Sequence, residues 1–307
     1  MLFPSCGNFF KYHSVYEIVA INNRKGTSMQ TFTKVMLLAA LAFTSITAQS
    51  QVRREITKDF PLEADGSFSI DTYKGSIEIK TWERAHVAIG VVIEAEGDYD
   101  DAAQHVADTK IVFNATPSSV HVETDYDDVR ASESFLGLFG VSNLSLPSTH
   151  YRIMIPRTAR VQVDDYKSKI RIENIAAPVS VDTYKGTLHA SDIDGRFMLD
   201  TYKGEFAVKG LSGGLKLTTY KGEGSVEFTR FADHASIDTY KGNVGLLLPA
   251  DARFDIDADI GRRGNLHTDI AMPTGVKDEN RIRGKVNGGG PLLAIETYKG
   301  NFEIRKK

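Results

Sequence analysis

Through much of the chain, apolar and polar residues alternate one by one in short runs, the period of a strand that buries a single face. Phe197, Leu199 and Thr201 form one such run, Phe206 and Val208 the next, and a Tyr-Lys-Gly bend lies between them. The pattern returns at Leu215, Leu217 and Thr219 with Val226 and Phe228, and again at Ala235, Ile237 and Thr239 with Val244 and Leu246. Each unit therefore reads as strand, bend, strand, corner. Upstream, Phe68, Ile70 and Thr72 lead into Ile77, Ile79 and Trp82, then Val87, Ile89 and Val91, and two further strands are expected over Ile111 to Asn114 and Val120 to Glu123. Helical spacing is convincing once, between Tyr99 and Lys110, where Ala102, Ala103, Val106 and Ala107 share a face.

The bends repeat. Asp-Thr-Tyr-Lys-Gly starts at Asp71, Asp182, Asp200 and Asp238, with variants starting at Thr218 and Glu296 and degenerate copies starting at Asp164 and Asp257. Tyr166, Tyr184, Tyr202 and Tyr220 are 18 residues apart, the step to Tyr240 is 20, and the step from there to Asp259 is 19. A near-constant period of this size marks the rungs of a solenoid, each too small to bury its apolar face alone. The expected class is all-β: a parallel β-solenoid, β-helix-like, of 18–20-residue rungs, with an N-terminal β segment and one short helix.

Stacked strands about 4.8 Å apart place like residues in ladders. The threonines are expected to face inward. Asp182, Asp200 and Asp238 share the outer face with Tyr184, Tyr202 and Tyr240, beside Lys185, Lys203 and Lys241, and ion pairs and cation–π contacts between them would hold the face together. The glycine of each Lys-Gly pair is expected to turn the chain at positive φ, with further corners at Gly195, Gly210, Gly213 and Gly214.

The flanks are less regular. Val35 to Ile46 is an apolar run behind the short n-region Met29 to Lys34 and ahead of Ala48-Gln49-Ser50, the layout of a signal peptide. Four segments follow: 1–28 as an upstream extension without structure, 29–50 as signal peptide, 51–150 as the β segment with its helix and an apolar loop, and 151–307 as the repeat region. The apolar loop is Ser132 to Pro147, expected as a hairpin over the end of the core, and Gly275 to Pro291 reads as a long glycine-rich loop before the last rung. Cys6, the single cysteine, precedes the cleavage site, so the processed chain holds no thiol for a disulfide or lipid anchor. Cleavage leaves 33 basic against 39 acidic side chains. No basic stripe for nucleic acid and no transmembrane span are expected in the mature chain.

The march from Phe68 through Asp71-Thr-Tyr-Lys-Gly75 to Trp82, then Tyr151-Arg-Ile-Met-Ile-Pro156, then rungs of the form apolar-x-Thr-x-x-Gly-x-apolar, resembles the bacterial adhesin-like family of β-strand-repeat proteins, a domain of unknown function. The likeness spans about Phe60 to Ile304, and this chain departs from the family in keeping the Tyr-Lys pair so regular. The resemblance implies a β-repeat scaffold exported to the periplasm, cell surface or medium.

Candidate chemistry is sparse. Tyr73, Tyr184, Tyr202, Tyr220, Tyr240 and Tyr298 form an aromatic ladder able to meet a glycan, an envelope polymer or an envelope protein, and the competing role for it is stabilisation of the sheet. Asp192 with Asp194, and Asp255 with Asp257 and Asp259, are the carboxylates that a polysaccharide lyase or hydrolase would use, though no Arg or Lys sits at a persuasive companion position. Asp98, Asp100, Asp101, Asp125, Asp127 and Asp128 offer hard oxygens for calcium without the spacing of a known calcium loop. His86, His105, His121, His150, His189, His234 and His267 are scattered without zinc spacing. The expected function is a non-catalytic scaffold needing no cofactor. The alternatives are a solenoid enzyme acting on polysaccharide, or a periplasmic sensory partner of a membrane protein through the apolar loop.

Overall fold

Alternation along the chain becomes two long sheets in a computed structural model of the protein, which describes residues 52–95, 101–130, 145–271, 277–278 and 280–307. The signal-peptide segment, the upstream extension and residues 132–144 of the apolar loop lie outside the described residues. Strands β1 (Arg53–Pro61), β2 (Ser67–Thr72), β3 (Gly75–Trp82) and β4 (His86–Glu94) precede helix α1 (Ala102–Asp108). A hairpin follows, β5 (Lys110–Thr116) and β6 (Ser119–Asp125), before β7 (Ser148–Pro156) returns to the stack.

The repeats then alternate between sheets. They pair β8 (Arg160–Asp165) with β9 (Lys169–Ile175), β10 (Val179–Thr183) with β11 (Thr187–Ile193), and β12 (Phe197–Thr201) with β13 (Glu205–Leu211). Next come β14 (Leu215–Thr219) with β15 (Glu223–Phe228) and β16 (Ala235–Thr239) with β17 (Asn243–Leu248). The last strands are β18 (Phe254–Asp259), β19 (Asn265–Thr268), β20 (Lys277–Asp278), β21 (Arg281–Val286), β22 (Leu292–Thr297) and β23 (Asn301–Lys306). Among the described residues one sheet has 11 strands and the other 12.

The core lies between the two sheets because the register is held rung after rung. Val179 sits beside Phe197, Phe197 beside Leu215 and Leu215 beside Ala235, while Val181, Leu199, Leu217 and Ile237 form the parallel column. All are buried. Where Ala235 leaves the first column short of volume, the longer corner after β15 brings in Phe231, edge-on between Phe228 (5.2 Å) and Phe254 (5.6 Å). That corner is the origin of the 20-residue step.

Rung order departs from chain order at both ends. The β2–β3 rung lies directly against β8 and β9, so segments 51–150 and 151–307 share both sheets. At the far end, the 19-residue step to Asp259 suggests that β18 and β19 follow β16 and β17, yet β22 and β23 lie between them. The stretch expected as a loop from Gly275 to Pro291 instead supplies β20 and β21, with β21 antiparallel to β18. The segment after Val286 is loop as expected, and Gly288 and Gly289 there have φ of 93° and 87°.

The bend glycines also have a different reason from the expected one. Positive φ occurs at Gly75 (129°), but Gly186, Gly204, Gly222, Gly242 and Gly300 are not in that region. They are glycines because rungs approach too closely for a side chain. A Cβ on Gly204 would lie 2.5 Å from Thr201 Oγ1 and 2.6 Å from the carbonyl oxygen of Gly186. Left-handed backbone appears on the other side of the rung, at Asn174 (62°), Asp192 (56°) and Gly210 (70°), one residue type after another that tolerates it.

A matched pair of substitutions separates crowding from loss of glycine itself. Gly204→Ala is expected to lower stability by about 1–3 kcal/mol through overpacking. Gly245→Ala, whose Cβ would meet nothing closer than 3.6 Å, should stay within about 0.5 kcal/mol of the parent. Thermal unfolding of the two variants checks this, and equal losses would refute it.

Candidate functional site

Five of the bends are built by their own threonine, and the bend at Tyr166 by Asp165, whose carboxylate accepts the Ser168 N–H at 2.7 Å. Thr183, Thr201, Thr219, Thr239 and Thr297 are buried, and each Oγ1 accepts the N–H of the glycine three residues later at 2.7–2.9 Å. Backbone bonding between rungs continues straight through the bend. Lys185 N–H donates to Tyr166 O (2.8 Å), Lys203 N–H to Tyr184 O (3.0 Å), Lys221 N–H to Tyr202 O (2.9 Å) and Lys241 N–H to Tyr220 O (3.0 Å). The tyrosine side chains are thereby fixed at the strand spacing.

The outcome is a single file of stacked rings. In spatial order Tyr73, Tyr166, Tyr184, Tyr202, Tyr220, Tyr240 and Tyr298 have successive centroids 4.6, 5.0, 4.8, 4.8, 4.8 and 5.1 Å apart. Interplanar angles stay between 1° and 15°. Such separations suit offset-stacked rings, and each pair contributes about 0.5–1.5 kcal/mol beyond its buried area. All six ladder tyrosines named from the sequence lie in this file, and Tyr166, from a degenerate copy, joins them. Tyr126, outside any repeat, closes one end edge-on to Tyr73 (6.4 Å, 72°). Its hydroxyl donates to Pro147 O (3.0 Å), and it packs with Val129 and Leu146, the described remnant of the apolar loop. Because the rings cover one another's faces, they present mainly edges to solvent, which removes face-stacking on sugars along the interior of the file.

Two charged rows flank the rings. On the 12-stranded sheet, strand register aligns Glu123, Asp71, Asp164, Asp182, Asp200, Thr218, Asp238, Glu296 and Asp259 as one row of outward positions. Partial burial, then the neighbouring carboxylates Asp164 and Glu123, push the Asp71 carboxyl up, and burial with Asp200 and Asp164 does the same to Asp182. The ammonium groups of Lys185, Lys203, Lys221 and Lys299 sit 5.1–5.4 Å from the centres of Tyr184, Tyr202, Tyr220 and Tyr298. The expected ion pairs do not form: Asp182, Asp200 and Asp238 have no ammonium of Lys185, Lys203 or Lys241 within 4.0 Å, and Lys185 and Lys203 lie over the rings of Tyr184 and Tyr202 instead.

The two groups of carboxylates considered for acid–base chemistry lie apart from each other, while Asp255, Asp257 and Asp259 alternate along one face of their strand as expected. Asp192 and Asp194 belong to the 11-stranded side, whereas Asp255, Asp257 and Asp259 lie on β18 of the other sheet. Asp192 occupies the left-handed position noted above. Companions absent from the neighbouring sequence do appear in space. Ser212 Oγ (2.6 Å) and the Arg157 guanidinium (2.5 Å) hold Asp194 and lower its pKa. Arg281 grips Asp257 through two bonds of 2.9 Å, with Arg283 at 3.1 Å, bringing its pKa to about 2. Asp98 and Asp100 lie outside the described residues, Asp128 pairs with Lys110, and Asp127 lies 3.8 Å from Arg130. Among the described residues no three His, Cys, Asp or Glu side chains are grouped to hold a metal.

Residues 43–305 match the model of the Toastrack DUF4097 family. The chain belongs to this family. This Toastrack chain is similar to solved structures of a candidate cell adhesion protein from Clostridium sporogenes (13% identity, 83% of this chain and 100% of that one, TM-score 0.34) and a candidate adhesin from Bacteroides fragilis (10%, 83% and 97%, 0.35). A candidate lipid-binding protein from Parabacteroides distasonis is similar at 11% identity, 83% and 97% coverage and a TM-score of 0.28. No curated protein matches the Toastrack chain. Among the described residues no helix is long and apolar enough to cross a membrane.

The charged groups give the Toastrack stack opposing responses to acid. Asp71 and Asp182, raised in the folded state, bind protons more readily there than in the unfolded chain, so their contribution to stability improves as pH falls from neutral toward the ordinary carboxylate range. Asp257, lowered to about 2, contributes stability above the unfolded value of 3.8 that is lost as pH falls from there toward 2. Asp182→Asn is therefore expected to raise the neutral-pH Tm and shrink the gain on mild acidification, and Asp257→Asn to flatten the acid limb. Melting curves across this pH range check both, and a parent-like profile in either variant would contradict its assignment.

Proposed function

We propose that this protein is a non-catalytic, exported scaffold of the cell envelope, adhesin-like in use, which docks a partner along the tyrosine strip. One observation carries the reading: seven stacked rings, accompanied by a row of carboxylates and by lysine ammonium groups, run along seven consecutive rungs of the stack. At about 4.8 Å per rung the file is about 30 Å long, a length suited to an extended polymer or a protein ridge.

Export is supported by the signal-peptide layout of Met29 to Ser50. The non-catalytic reading is supported by the occupation of Asp194 and Asp257 by their own arginines and by their placement on different sheets. A general acid and base would need to face one substrate from both sides.

The reading is tested with the processed chain and a variant carrying Tyr184→Ser, Tyr202→Ser, Tyr220→Ser and Tyr240→Ser. Purified peptidoglycan, capsular polysaccharide and solubilised envelope protein serve as immobilised probes. The parent is expected to be retained by at least one probe and the variant to bind it at least tenfold more weakly. A core variant, Val208→Ala, controls for lowered stability. Equal retention of the tyrosine variant and the parent would make the ladder a stabilising device only.

A further inference from the structure

The strip combines exposure with unmet charge. The large hydrophobic side chains that stand exposed among the described residues are Tyr184, Tyr220 and Tyr240, at 37% each, and Tyr298, at 53%. All four belong to this one file. A contiguous exposed aromatic ridge with a charged rim is the composition of a protein interface, where tyrosine is enriched at the centre and charge lies at the border.

Another row on the same stack shows that its polar side chains can satisfy one another. At the start of the 11-stranded side, Asn265 Nδ2 donates to Asn301 Oδ1 (2.9 Å), Asn301 Nδ2 to Asn243 Oδ1 (2.8 Å) and Asn243 Nδ2 to Glu223 Oε1 (2.8 Å). The strip is built otherwise. Asp164, Asp182 and Asp200 adjoin one another, and Asp182, Asp200 and Asp238 form no ion pair with Lys185, Lys203 or Lys241.

Through each bend the chain presents acid, ring and ammonium in that order, as in Asp200, Tyr202 and Lys203. Turning a second copy about a twofold axis parallel to the stack places its ammonium row opposite the first copy's acid row, ring edges against ring edges, at identical spacing. A twofold axis across the stack would set acid on acid. Association end to end is disfavoured by the edge strand β1, which exposes Arg53, Glu55, Lys58 and Asp59.

We propose that the strip is a self-complementary interface, through which two copies of this chain pack side by side about a twofold axis parallel to their stacks. Asp182 and Asp200 of one copy then face Lys185 and Lys203 of the other, at the same rung level. This rests on the reading of the strip as a docking surface and names its occupant. A strip three side chains wide and about 30 Å long falls below the ~800 Å² per partner of a standard interface, so the dimer is weak, concentration-dependent and loosened by salt.

Sedimentation velocity on the processed chain, up to about 200 μM in low salt, tests this with two charge-reversed variants. Variant one carries Asp182→Lys, Asp200→Lys and Asp238→Lys; variant two carries Lys185→Glu, Lys203→Glu and Lys241→Glu. The parent is expected to dimerise, each variant alone to associate at least tenfold more weakly, and an equimolar mixture of the two to recover the dimer. Single reversals, Asp200→Lys and Lys203→Glu, repeat the test should a triple variant fail to fold by circular dichroism. A monomeric parent, a folded variant that dimerises as the parent does, or a mixture that stays monomeric overturns the proposal. Retention of the parent by an envelope probe without any dimer would overturn it while leaving the docking strip standing. A dimer without retention by any probe would support it and remove the envelope polymer as occupant.

Discussion

Backbone hydrogen bonding that does not stop at the turns governs this molecule. In an ordinary sheet the ladder ends with the strand and the loop is free to differ. Here the N–H groups of the bend tyrosines and lysines bond to the preceding rung as strand residues do, and each rung repeats its neighbour's path. Side-chain identity then becomes a column property. Threonine recurs in the bends to accept the glycine N–H, with Asp165 doing the same for Ser168, glycine recurs because the neighbouring rung's carbonyl lies where a Cβ would be, and tyrosine placed once is stacked by repetition.

Local chemistry was the legible part. The alternation at Phe197, Leu199 and Thr201, the inward threonines and the recurrence of Tyr-Lys-Gly all express themselves within one rung and follow from period-two burial. Neighbourhood was not. Asp259 and Glu296 sit side by side in the same row, so either of their segments satisfies the local pattern for the next place in the stack. Only pairing over long sequence separation decides between them. For the same reason Arg157 and Arg281 could not be assigned to Asp194 and Asp257 from spacing, and Tyr126, which no repeat announces, could not be seen as the cap of the ring file. The glycines were identified as essential for a sound stereochemical reason that holds at Gly75 and is replaced by rung-to-rung contact at most other bends.

The stack also sorts its polar groups. Asp194 with Arg157 and Asp257 with Arg281 neutralise charge locally, and the asparagine row passes one amide hydrogen bond to the next. Against that background the row of carboxylates without ion-pair partners is a departure, and partial burial, then the neighbouring carboxylates, raise the pKa of Asp71 and Asp182 at some cost to the isolated fold. Retaining like charges at one strand spacing makes sense where something outside the rung supplies the opposite sign.

The placement of β22 and β23 between earlier rungs means that assembly cannot follow the order in which the chain emerges. Strands β16 and β17 must wait for residues made some fifty positions later, and β18 with β19 cannot settle against them in the meantime without occupying the wrong slot. A polypeptide threaded vectorially would thus hold a two-strand vacancy open until Leu292–Thr297 and Asn301–Lys306 arrive. The last segment works as a keystone, and interrupted synthesis leaves an arch that cannot close.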